Sequence, residues 1–104
     1  NLRFKEYLDP RVLSSLSEEE IVFKPYNSAE LEVIINDRIP IAFYPGVVEK
    51  SAVKLIAALS GAEHGDARKA LDILRVSGEI AEFRGDNKIT EEHVREAYSN
   101  IDKE

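Results

Sequence analysis

Four side chains in this sequence stand where their chemistry asks for an explanation: Arg11, Tyr26, Arg38 and Arg68. Arg68 is the sharpest case. The stretch GDARKALDILRVSGEIA at 65–81 opens with Gly65, which lets the chain turn tightly, and with Asp66, which caps a helix by accepting from first-turn N–H groups. Arg68 then falls in the first turn, where the positive end of the helix dipole disfavours a cation by roughly 0.3–1 kcal/mol. Such a placement calls for a facing anion. Asp66, Asp72 or a phosphate could each supply it, and the bland choice is an i,i+4 pair with Asp72. Arg38 shares an apolar stripe with Leu31 and Ile35, and a charge on a buried face must find a partner or snorkel to the edge of the core. Arg11 has a plain alternative in neutralising Asp9, and Tyr26 in packing.

The elements that must position these groups follow from periodicity and caps. In the central stretch, positions 67, 70, 71, 74, 78 and 81 are small or apolar, and 73, 76, 80 and 83 are Ile, Val, Ile and Phe. Two faces of that helix are therefore expected to be buried, leaving one polar stripe of Arg68, Asp72, Arg75, Glu79 and Glu82 that begins at the tip. A helix buried on two sides with an Arg at its N-terminal end is a component of a larger site. Asn27-Ser28-Ala29-Glu30 has the capping-box spacing and opens a helix with Leu31, Ile34, Ile35 and Ala42 inward. Pro40 is expected to kink or end that helix near 36–39. Pro45-Gly46 marks a turn, a further helix is expected over 49–60, and Gly85-Asp86-Asn87 marks another turn. Thr90 then caps a last helix with Val94, Ala97, Tyr98 and Ile101 at core spacing. Ahead of all this, a short helix is expected from Asp9 or Pro10, and Ile21-Val22-Phe23 reads as one short strand closed by Pro25. The reading is mainly α, four helices behind a lone strand.

At 104 residues the chain is one domain, short for a complete enzyme. Fourteen Lys and Arg among twenty Asp and Glu, a net charge of −6, argue against a broad nucleic-acid or membrane-binding surface, which needs a clustered positive field. Without Cys there is neither a disulfide framework nor a thiolate metal site, and no apolar run approaches the roughly 20 residues of a membrane helix, so a cytoplasmic setting is expected. The lack of any Met and the single unpaired strand predict an excised piece of a longer chain. His64 and His93 have no second His at helical spacing and are expected on the surface; glycines are too sparse for a phosphate-cradling loop, and no complete catalytic machinery is visible.

Four motifs in order then carry a resemblance: LDPRVLSSL at 8–16, EIVFKPYNSAEL at 20–31, HGDARKALDILRVSGEIAE at 64–82 and ITEEHVREA at 89–97. Together they resemble the archaeal replication initiators of the origin-recognition and cell-division-control family of AAA+ ATPases. The resemblance implies that residues 1–25 are the C-terminal end of the nucleotide-binding core and 26–104 its helical lid, a four-helix, bundle-like unit. It implies that Arg68 is the second-sensor arginine, which contacts the terminal phosphate of ATP, and that Tyr26 and Arg38 line the nucleotide from the lid side. Arg11 matches the arginine-finger segment, which reaches a neighbouring subunit's nucleotide; where some relatives carry a second Arg four residues on, this chain has Ser15.

The cofactor implied is ATP or ADP, with magnesium held by a part of the protein outside this sequence. Origin DNA, through a winged helix also outside it, and the replicative helicase are the implied partners, with no membrane. The expected function is a nucleotide-sensing lid that couples ATP binding and hydrolysis to lid movement during replication initiation, the fragment itself being inactive alone. Two other readings stay open at this point: the lid of a clamp loader or another helicase loader, and a stand-alone helical interaction module.

Overall fold

The computed structural model describes residues 25–62 and 66–102, which form four α-helices. These are α1, Ser28–Ala42; α2, Lys50–Ala62; α3, Ala67–Phe83; and α4, Glu91–Asp102. The short helix expected from Asp9 or Pro10 and the strand expected at 21–23 lie outside the described residues, as do Arg11, His64 and Gly65.

α1 starts where the capping-box spacing puts it. The Asn27 side chain accepts from the Glu30 N–H at 2.8 Å, and the Glu30 carboxylate accepts from the Asn27 N–H at 3.0 Å. Pro40 does not end α1: the helix runs on through Pro40 to Ala42. The proline ring deprives only the carbonyl four residues back, that of Asn36, and both residues are exposed, so water can serve that carbonyl. The next N–H groups still find partners, Phe43 donating to the Ile39 carbonyl at 2.8 Å, while Ala42 and Phe43 sink fully into the core.

α2 begins one residue later and ends two residues beyond the expected 49–60. The Glu49 carbonyl receives the first N–H groups, from Ala52 and Val53. At its far end Gly61 lies close against α1, where a Cβ would meet the Ser28 backbone nitrogen at 3.2 Å. α3 and α2 are the inner helices, each packing on the other three elements. α3 buries Ala67, Ala70, Leu71, Ile73, Leu74, Ser77, Gly78 and Ala81, so both expected faces are covered. Ser77 satisfies its hydroxyl on the Ile73 carbonyl at 2.6 Å. Phe83 departs from the expected apolar face: it is 92% exposed on the last helical position, past the final buried residue Ala81.

The chain leaves α3 through Gly85, whose φ of 74° is the left-handed conformation that a side chain would strain. Gly85 N–H donates to the Glu82 carbonyl and Asp86 N–H to that of Ala81, closing the helix end in the Schellman pattern. The returning loop then joins the α1–α2 loop through the parallel bridge of Val48 and Ile89. Ile89 N–H donates to the Val47 carbonyl at 2.8 Å, and Glu49 N–H to the Ile89 carbonyl at 3.1 Å. One end of the bundle is thus sewn loop to loop. The other end gathers the start of α1, the end of α2 and the start of α3.

Candidate functional site

The site is built from that second end. Asp66 caps α3 with its carboxylate on the Arg68 N–H at 2.8 Å, as expected, and Ala67 and Ala70 are small enough to seat the first turn deep in the bundle. This anchoring puts Arg68 on the outside of the first turn, exposed. The bland pairing with Asp72 is not closed: the two interact through space, but among the described residues no ion pair within 4 Å holds Arg68. Other arginines behave otherwise. Arg75 pairs with Glu79 at 3.1 Å, Arg84 with Glu96, and Arg95 with Glu91 at 3.3 Å.

Tyr26, two residues before α1, is half-buried against the core. Because the start of α1 touches Gly61, and Asp66, the cap of α3, follows Gly61 by only five residues, Tyr26 and Arg68 stand at the same end of the bundle. Arg38 sits on the inward stripe of α1 after Leu31 and Ile35, both fully buried. Its Nε is buried with no hydrogen-bond partner, a group left wanting an acceptor. Ten residues beyond Ser28, it lies about 15 Å along the helix axis from the α1 start. The structure therefore groups Tyr26 with Arg68 and sets Arg38 further down α1. Arg11 is outside the described residues.

Asp72 follows Arg68 by one turn and opens into a cleft of about 310 Å³ between α3 and α4, with Arg75, Val76, Asn100 and Ile101 as the other walls. Burial raises its carboxyl above the ordinary 3.8, Arg75 and Arg68 pull it down, and Asp66 adds a smaller push upward. Between the ordinary and the raised value the folded protein binds more protons than the unfolded chain, so this group's contribution to stability falls as pH rises through that window. Asp72→Asn is expected to raise the melting temperature at neutral pH and to change it little at about pH 3, where both states are protonated; thermal melts at the two pH values check this.

His93 corrects the expectation of a surface histidine, being only 2% exposed. Its Nδ1 accepts the Thr90 N–H at 2.9 Å and its Nε2 meets an Asp86 carboxylate oxygen at 2.7 Å. Since Nδ1 is the acceptor, Nε2 carries the proton and donates to Asp86. The signal in the sequence is Thr90-x-x-His93, the capping-box spacing with an imidazole in the place of Glu or Gln. Among the described residues no three His, Cys, Asp or Glu side chains gather as a metal site, and no helix is long and apolar enough to cross a membrane.

Residues 32–99 match the family described as the Cdc6 AAA+ ATPase-type lid domain. The chain belongs to this family. The chain is also similar to stretches of longer replication proteins. The ORC1-type DNA replication protein of Pyrococcus abyssi is 60% identical over 104 residues, covering 100% of this chain and 25% of that protein. ORC1-type DNA replication protein 1 of Archaeoglobus fulgidus is 58% identical over 102 residues, 98% of this chain and 25% of the relative. Among solved structures, the Aeropyrum pernix ORC1 protein in complex with DNA aligns with a TM-score of 0.72 at 52% identity, over 92% of this chain and 25% of that one. Drosophila ORC bound to DNA aligns at 0.69 and 33% identity, over 83% and 22%. The chain thus spans about a quarter of the relatives it matches. The expected helical lid of an archaeal initiator-type AAA+ protein is borne out.

Proposed function

We propose that this Cdc6-type lid senses the nucleotide of an archaeal ORC1-type replication initiator. In this reading 1–25 is the end of the nucleotide-binding core and 26–104 the lid. Arg68 donates to the terminal phosphate of ATP, Tyr26 and Arg38 line the nucleotide from the lid side, and Arg11 reaches the nucleotide of a neighbouring subunit. Magnesium is held by the core, and the whole protein works in the cytoplasm on origin DNA through a winged helix and on the replicative helicase.

One observation carries the reading: in a member of this lid family, Arg68 is presented at the capped, dipole-positive tip of α3 without an ion pair among the described residues. The guanidinium fork fits phosphate oxygens, and the nucleotide's charge resolves the unfavourable placement of a cation at that tip. Loss of the terminal phosphate removes the contact, and the lid can then rotate against the core. The lid supplies positioning and charge, and no nucleophile.

Nucleotide titration of the full-length protein beside residues 26–104 tests this. The lid alone is expected to bind ATP at least about 100-fold more weakly, because most phosphate contacts lie in the core. Equal affinity would place the nucleotide site within the lid and overturn the reading.

A further inference from the structure

We infer that the outer edge of α3, from Asp72 to Phe83, is a docking surface for a basic amphipathic helix supplied by another part of the same polypeptide, outside this sequence. This goes beyond nucleotide sensing and makes no use of Arg68.

The second apolar face of α3 is only partly covered. Ile73 is fully buried, Val76 and Ile80 are half-buried, and Phe83 is 92% exposed. Spacings of four and three put 76, 80 and 83 on one line along the helix. A lone exposed ring is ordinary, but this one ends an apolar line whose other end opens into the cleft of about 310 Å³ walled by Val76 and by Asn100 and Ile101 of α4.

Charge fixes the kind of occupant. Asp72 stands in that cleft, half-buried, and among the described residues no hydrogen bond or ion pair holds its carboxylate. Arg75, a cation in the same cleft, is taken by Glu79 at 3.1 Å. Apolar walls beside an unpaired carboxylate suit the aliphatic stem and charged head of a Lys or Arg. Val76 follows Asp72 by one turn and Phe83 follows Val76 by two, so a helix laid along this edge matches it with a base and two apolar side chains at the same intervals.

Area fixes its source. Phe83 with the open halves of Val76 and Ile80 offers on the order of 300 Å², against roughly 800 Å² per partner in a stable interface between separate proteins. A patch this small holds a neighbour only if a covalent link keeps that neighbour at high effective concentration. This chain covers 25% of each of its Pyrococcus abyssi and Archaeoglobus fulgidus relatives, and the other three quarters of such a protein is the tethered source. With the base docked, Asp72→Asn loses an ion pair in the full-length protein, and the gain in melting temperature given above belongs to the lid by itself.

The test is hydroxyl-radical footprinting of the full-length protein, read by mass on individual rings, with fully buried Phe43 and the 42% exposed Tyr44 as internal references. Docking predicts that Phe83 is oxidised within about 3-fold of the Phe43 rate, because each ring then reacts only on opening. Asp72→Lys, shown by thermal melts to be folded, should raise the Phe83 rate at least about 3-fold and leave Phe43 and Tyr44 unchanged. A Phe83 rate further above that of Phe43 in the wild type overturns the assignment. So does protection that fades on dilution, the mark of a second copy, or that appears only when another protein is added. Protection that Asp72→Lys does not relieve overturns it as well, since the occupant would then carry no base at Asp72.

Discussion

Arg68→Ala in the full-length protein is expected to weaken ATP binding about 10- to 150-fold and to leave ADP nearly untouched. A hydrogen bond to a charged group contributes about 1.5–3 kcal/mol, and each 1.4 kcal/mol is tenfold in affinity. The substitution should not harm the fold. Arg68 is exposed, makes no ion pair among the described residues, and sits where the helix dipole disfavours a cation, so its removal leaves the melting temperature unchanged or slightly higher. Lower affinity in an equally stable protein separates a ligand contact from damage to the bundle. Arg68→Lys should recover only part of the loss, because a point charge cannot reproduce the two-pronged donor. Isothermal titration with ATP and ADP reads all three; an unchanged ATP affinity in Arg68→Ala would reject the sensing role.

His93→Ala is expected to cost about 2–4 kcal/mol of stability, lowering the melting temperature by on the order of 10–20 °C for a domain this small. The ring is buried and spans the loop that closes α3 and opens α4, so its removal leaves a cavity, an unsatisfied Thr90 N–H and an Asp86 carboxylate without its donor. The damage should spread to the α1–α2 loop, because Ile89, between Asp86 and His93, forms the bridge to Val48. His93→Gln should regain a good part of the loss, since Gln at this position completes an ordinary capping box with Thr90. Thermal melts of the three proteins decide it, and a His93→Ala variant as stable as the wild type would show that the two hydrogen bonds contribute nothing net.

Features set by neighbours three or four residues apart could be read from the sequence. Asn27 with Glu30, Asp66 at the head of α3 and the paired apolar faces behind Arg68 all depend on local spacing, and each is where the spacing put it. Features that depend on what lies across the bundle could not. His93 has no helical partner to flag it, and its burial arises because α4 and the turn at Asp86 fold over the ring. That the helix runs on past Pro40 likewise goes with packing across the bundle, which draws Ala42 and Phe43 into the core. By sequence Asp72 is one charge in a polar stripe, whereas in three dimensions it shares a cleft with Asn100 and Ile101, nearly thirty residues away. For the candidate site, the position of Arg68 was readable, while the orphaned Nε of Arg38 appears only in three dimensions.

The stitch between the two loops has a mechanical side. At 17 residues, α3 is a rod about 25 Å long, with Arg68 at one tip and the sewn loops beyond the other. A tilt of about 10° pivoting at the arginine sweeps the distant end through roughly 4 Å, given that length. Because Ile89 ties that end to Val47 and Glu49, both loops travel together as one lever arm, and a displacement too small to notice beside the arginine arrives there as a stroke of more than an atom's width.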